Sequence, residues 1–299
     1  MKGVISIFAM PQELEDLALT LNMLKRNSVY ITNNNELKVE ITMCLSDELT
    51  DWDKSILPKQ YIQERTAELC SKFLGWCKYE LKIETESDIL GCVSQRRFTL
   101  KNNPNADFYI WLDCDFFFKD ITLYYILSAF EMIKDSGRKH FVITPQFVKQ
   151  WDPTWDIIVN KNFMNKPYDY ELISDVYVDT LPDLEPVNVE QLNGMKFAGG
   201  WFTLLSGDLV RDIGIPDSLG HYGLEDTFII ECSKIMNSKG GNVSQFILEN
   251  LIIAESYTQR PNETIKKYIS SKNRKQEFTK IATDNFEIEL QNFYKKNNL

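Results

Sequence analysis

The 299-residue sequence has only two histidines, His140 and His221. That nearly excludes a histidine-rich zinc site, because such sites draw on several imidazoles. The six cysteines (Cys44, Cys70, Cys77, Cys92, Cys114 and Cys232) form no Cys-x-x-Cys pair. Most lie inside apolar segments, the pattern of reduced thiols in a cytosolic protein and not of a disulfide framework. No apolar run approaches the roughly 18 residues of a membrane span. The opening MKGVISIFAMPQELEDL is too short and too soon acidic for a signal peptide, so a cytoplasmic location is expected. Positive charge is also scarce: 33 Lys and Arg face 43 Asp and Glu, for a net charge of −10. Bulk electrostatics therefore do not favour nucleic acid or an anionic membrane, and an anionic ligand needs a local cation.

What is present is an ordinary globular composition, 43% hydrophobic and 25% charged, in a chain long enough for a large core. Buried strands are expected at 4–9, 37–45, 79–85, 107–113, 139–148 and 243–254. Helices are expected over 12–26, 59–76, part of 88–104, 121–135 with Asp120 as N-cap, and GLEDTFIIECSKIM. This alternation predicts an α/β fold with a mostly parallel sheet and crossover helices. Within one domain spanning 1–262, residues 149–194 lack periodicity and read as an irregular insertion. The remainder, 263–299, reads as a basic helical tail, because 264–280 carry six Lys or Arg against one acid.

The chemistry centres on DFYIWLDCDFFFKD, residues 107–120. A continuous apolar run followed by Asp113 and Asp115 puts two carboxylates at the carboxyl end of a buried strand, where open α/β sheets bind ligands. Carboxylates between hydrophobic flanks need compensation, which Mg²⁺ supplies while also taking phosphate oxygens. The plainer reading is a strand end with a turn. Ala198-Gly199-Gly200-Trp201 offers backbone without side chains beside a flat apolar wall, or simply a tight turn into a strand. Gly220-His221-Tyr222-Gly223-Leu224-Glu225-Asp226 places adjacent carboxylates at a helix start, which suits a general base but is also ordinary charge–dipole complementarity.

In this order, over roughly residues 1–255, the three motifs resemble the nucleotide-sugar glycosyltransferases of the GT-A fold, inverting and Asp-x-Asp-type, including phage and bacterial members. The basic segment GCVSQRRF before the aromatic strand belongs to the same resemblance. It implies Asp115, with Asp113, as ligands of Mn²⁺ or Mg²⁺. It also implies Asp113, Arg96, Arg97, Asp47, Gly199, Gly200 and Trp201 around a nucleotide-diphosphate sugar, most simply a UDP-sugar. Asp226 would be the base, with Glu225 holding acceptor or base. Trp151, Trp155, His221 and Tyr222 are candidate acceptor contacts. The acceptor would be a glycan, a lipid-linked sugar or a hydroxymethylated DNA base. Two departures stand out. No histidine follows His221 to serve as a further metal ligand, leaving Glu249, Glu255 or water. The segment CLSDELTDWD is longer and more acidic than the usual turn around Asp47. A nucleotidyltransferase would carry a Gly-rich basic loop after the first strand, and FAMPQELEDL has neither glycine nor arginine. A non-catalytic sugar- or nucleotide-binding scaffold is the other alternative.

Overall fold

A computed structural model describes residues 1–31, 36–46, 58–85, 88–148, 188–196, 198–255 and 274–297. The expected turn at 32–36 falls mostly outside these residues, as does most of the expected insertion. The elements run β1 (Lys2–Ala9), α1 (Leu14–Asn27), β2 (Glu36–Cys44), α2 (Lys59–Phe73), β3 (Lys78–Glu84), α3 (Cys92–Asn102), β4 (Phe108–Leu112), β5 (Phe116–Phe118) and α4 (Thr122–Asp135). They continue through β6 (His140–Val148), β7 (Val189–Gln191), β8 (Phe202–Ser206), α5 (Gly207–Ile213), α6 (Glu225–Ser238), β9 (Val243–Glu255) and α7 (Arg274–Lys296).

The nine strands among the described residues form one sheet in the order β3-β2-β1-β4-β8-β6-β9-β5, with β7 on β9. Strands β1 to β4 are mutually parallel, and β6 and β9 pair in parallel. Strand β8 runs antiparallel to both β4 and β6, and β5 and β7 are antiparallel to β9. The chain is thus an α/β protein with a mostly parallel central sheet. Strand β4 sits at its centre with all five residues buried. Phe108, Ile110 and Leu112 face one core with α1 and α4, while Tyr109 and Trp111 face the other with α5 and α6. Burial on both faces explains its unbroken apolar run.

Helix α3 packs on the sheet through polar groups instead. Ser6 Oγ lies 3.1 Å from Thr99 Oγ1, Gln95 Nε2 donates to Thr99 Oγ1 at 3.2 Å, and Thr42 donates to Gln95. These buried groups satisfy one another, as interior polar atoms must. They also fix the rotation of α3, so that Arg96 projects towards the carboxyl edge of β4.

Two expectations are corrected. Asp120 does not cap α4: its carboxylate pairs with Arg26 at 2.6 Å, and the Leu123 amide donates instead to Asn27 Oδ1 at 2.8 Å. The cap comes from α1, 96 positions away. Residues 189–191 are strand β7, although they fall in the stretch expected to be irregular. Helix α7 carries Arg274, Lys275, Lys280, Lys295 and Lys296 together with Glu277, Asp284, Glu287 and Glu289. All six cysteines are free. Burial pushes the thiols of Cys44 up to about 11 and of Cys70 and Cys77 up to about 12, so they are protonated and inert at neutral pH. No described helix is long and apolar enough to cross a membrane.

Candidate active site

The carboxyl edge of β4 meets the entrance of β8, because the two strands are antiparallel and Leu112 pairs with Phe202. The Asp113 amide donates to the Trp201 carbonyl at 3.2 Å, which joins the Asp-x-Asp motif to the Gly-Gly-Trp motif. The carboxylate of Asp113 is 40% exposed. Asp115, two residues on, is half-buried at the same rim.

Between these motifs lies Arg96, which is buried. Its Nη2 donates to Asp113 Oδ1 at 2.8 Å and to the Gly200 carbonyl at 3.2 Å, while Nη1 pairs with Glu225 Oε1. The guanidinium also lies over the Trp111 ring, 4.9 Å from its centroid. A fork of fixed donors can hold two carboxylates and a carbonyl at once, which an ammonium does less well. A Cβ at Gly200 would overlap the guanidinium, so glycine here answers to close approach. Burial alone would lower the affinity of Arg96 for its proton, but Asp113, Cys92 and Asp226 reverse the effect and secure its charge.

Neighbouring Arg97 has different partners. It donates to the carbonyls of Ile215, Pro216 and Gly220 at 3.2, 2.7 and 3.1 Å and pairs with Asp217 at 3.0 Å. The Val93 amide, in the first turn of α3, donates to the His221 carbonyl at 3.1 Å. Helix α3 thus holds the segment that leads into α6.

That segment ends in an unusual conformation. Gly220 and Gly223 have φ of 69° and 91°, and Leu224 has φ of 67°, the one positive value at a non-glycine among the described residues. Such a backbone costs free energy at a leucine and is retained only where its surroundings determine it. It turns Glu225 inward to Arg96, where its side chain is 2% exposed. Asp226 is half-buried beside it. Its Oδ1 accepts from the Thr227 amide at 2.6 Å, and Oδ2 has no hydrogen-bond partner among the described residues. Burial pushes the Asp226 carboxyl above the usual carboxylate range, against the opposing pull of Arg96 and the Thr227 amide.

The remaining expected residues are distributed as follows. Trp201 is buried in the core with its ring 6.3 Å from Phe116. The ring of His221 lies 5.3 Å from Phe278 of α7, and Tyr222 packs on Met10, Cys44, Leu90 and Phe278. Asp47, Trp151 and Trp155 lie outside the described residues, as do the side chains of Glu249 and Glu255. Two participants had no sequence signal. Trp111 was read only as part of a hydrophobic strand, and Phe278 sits in a stretch read as basic.

No protein-family model and no curated protein sequence matches this chain. Among solved structures it is similar to S. aureus TarS, at 13% identity and a TM-score of 0.49. That alignment covers 99% of this chain and 45% of TarS, so the chain spans less than half the length of that structure. The structure of TarS 1-349 aligns over 98% of this chain and 72% of its own length, at the same identity and TM-score. A structure of GalNAc-T7 with UDP, GalNAc and Mn²⁺ aligns at 14% identity and a TM-score of 0.49, over 90% of this chain and 46% of its own length.

Proposed function

We propose that the chain is a glycosyltransferase of the GT-A type that moves a sugar from a nucleotide-diphosphate sugar, most simply a UDP-sugar, to an acceptor hydroxyl with inversion. The observation that supports this reading is the convergence on Arg96. One buried guanidinium ties Asp113 after β4, Gly200 before β8 and Glu225 at the start of α6. Three motifs far apart in sequence are thereby tied together at the carboxyl edge of the sheet, the position where open α/β sheets take ligands.

The roles follow from the environments. Asp226 accepts the acceptor proton on Oδ2, and its raised pKa makes it a better base near neutral pH than an ordinary carboxylate. As the O–H bond breaks, the acceptor oxygen bonds to the anomeric carbon, and the bond from that carbon to the diphosphate oxygen breaks on the opposite face. The nucleoside diphosphate leaves with the electron pair. Glu225 is committed to Arg96 and holds the start of α6, and with it Asp226, in place. Gly199 and Gly200 leave room at the cleft wall, with Trp201 packed beneath.

Asp115 and Asp113 would hold Mn²⁺ or Mg²⁺. The donor set fits, because both are hard carboxylates, two residues apart after β4, and both are partly exposed. Among the described residues no group of three or more metal-binding side chains occurs, so the remaining oxygens would come from phosphate and water. Such a cation supplies charge neutralisation on the departing diphosphate.

The test is Asp115→Ala in the full chain, assayed for hydrolysis and transfer of a panel of UDP-sugars with Mn²⁺. Turnover should be lost while the circular dichroism spectrum and melting temperature match the parent. The stabilisation of the parent by UDP with Mn²⁺ should be lost as well. Full activity of the variant with every donor the parent uses would overturn the metal assignment.

A further inference from the structure

We propose that the C-terminal helix α7 positions the loop that leads into the base-bearing helix α6, residues 217–224, and that Phe278 is the residue through which it acts; this rests on the reading of Asp226 given above. The loop has an intrinsic problem. Gly220, Gly223 and Leu224 all adopt positive φ. Glycines lose more conformational freedom on ordering than other residues do, and the left-handed leucine is strained. Such a segment stays in one conformation only if it is held from both sides.

Helix α3 holds the inner side through Arg97 and the Val93 amide. Helix α7 covers the outer side along the whole loop. Glu289 accepts from Ser218 Oγ at 2.7 Å. Ile281 lies over Gly220, and Thr279 lies beside Gly223: a Cβ on either glycine would be 3.3 Å from Ile281 Cγ2 or 3.6 Å from Thr279 Oγ1. Phe278 packs its ring on His221 and is itself buried among Met10 and Cys44, at the carboxyl ends of β1 and β2, and Leu90, which precedes α3. Further along, Phe286 packs edge-on to Phe228 of α6 at 6.1 Å, and Phe293 is buried in the same core. The helix is therefore anchored at its far end on α6 and reaches the cleft with its first turns. Phe278 touches the ring of His221 while α3 holds its carbonyl, so the pair His221–Phe278 closes the clamp three residues before Leu224.

The clamp acts on the base and not on the donor carboxylates. Asp113 and Asp115 follow β4, whose position is set by β1 and β8. Loosening α7 should therefore misplace Asp226 while leaving the donor end intact. Misplacement by about 1 Å costs up to roughly 100-fold in rate.

The experiment compares Phe278→Leu, which keeps apolar bulk but loses the ring, with Phe278→Tyr, which keeps it, in the full chain. Amide hydrogen exchange over 217–224 should accelerate in Phe278→Leu and stay parental in Phe278→Tyr. With the UDP-sugar the parent turns over fastest, kcat should fall by about 10- to 100-fold in Phe278→Leu while donor KM stays within about twofold. Glu289→Ala, at a half-buried position that cannot threaten the core, should accelerate exchange at 217–219 to a smaller extent. Parental exchange in Phe278→Leu and Glu289→Ala, or a fall in kcat matched by a rise in donor KM, would overturn the proposal. If the parent turns over no UDP-sugar, the reading of the site fails, and the exchange measurements still decide whether α7 holds the loop.

Discussion

Asp113 and Glu225 share one guanidinium but differ in their surroundings. Asp113 is 40% exposed and Glu225 only 2%, while Arg96 between them is 5% exposed. A buried ion pair is strongly destabilised when one partner is removed, because the other charge is left uncompensated. A partly exposed carboxylate is screened by water and can change partner at little cost. The difference divides the cleft into a fixed side, Arg96 with Glu225, and an adaptable side, Asp113 with Asp115. An exchangeable carboxylate suits a ligand that comes and goes; a buried one suits the frame.

The largest expected effect lies beside the fixed side. Asp226→Asn should lower transfer by about 10²–10⁴-fold, the range for loss of a general base. The same change should stabilise the fold at neutral pH. The native carboxyl binds its proton more tightly than the unfolded one, so ionisation of Asp226 opposes folding as pH rises through that interval. The melting temperature of Asp226→Asn should thus exceed the parent's at pH 7 and converge with it below the ordinary aspartate range. Parental activity should fall as pH drops through the raised pKa. A gain in stability at low pH only would reverse the sign and remove desolvation as the cause.

Next, Glu225→Ala should cost up to about 3–5 kcal/mol in urea unfolding, because Arg96 loses its buried partner and keeps only the partly exposed Asp113, whereas Asp113→Asn should cost less than about 1 kcal/mol while impairing donor use. Equal losses of stability would erase the distinction between the two sides. Between these two, Gly200→Ala should cost about 1–3 kcal/mol by overpacking against Arg96, measurable as a shift in urea midpoint at constant slope.

Much of the sheet was legible because its strands are buried on both faces. Strand β4 matches the expected 107–113 within a residue at each end, and helices α1, α2 and α4 follow their apolar spacing closely. The cap of α4 was not legible, since the donor of that role, Asn27, is remote in sequence and close only after folding. Strand β5 was also missed: three phenylalanines after a turn signal gave no period to distinguish strand from loop, and pairing with β9 decides it. In the site, the motifs were visible but their wiring was not. Nothing in Gln95-Arg96-Arg97-Phe98 separates an arginine that binds two carboxylates from one that binds three loop carbonyls. That division comes from a 100° step around α3, whose polar inner face fixes which arginine points to the cleft. Phe278 offered no signal because its partner His221 lies on another element.

The reversed direction of β8 has a consequence for how such a cleft can diversify. Strand β1 and its parallel neighbour β4 end at the carboxyl edge, whereas β8 begins there. Lengthening or rewriting the approach to β8, residues 192–200, would therefore recut the wall beside Asp113 while the interstrand ladder stayed whole. New specificities could arise on an unaltered scaffold, through a connection that has to bend at that edge in any case.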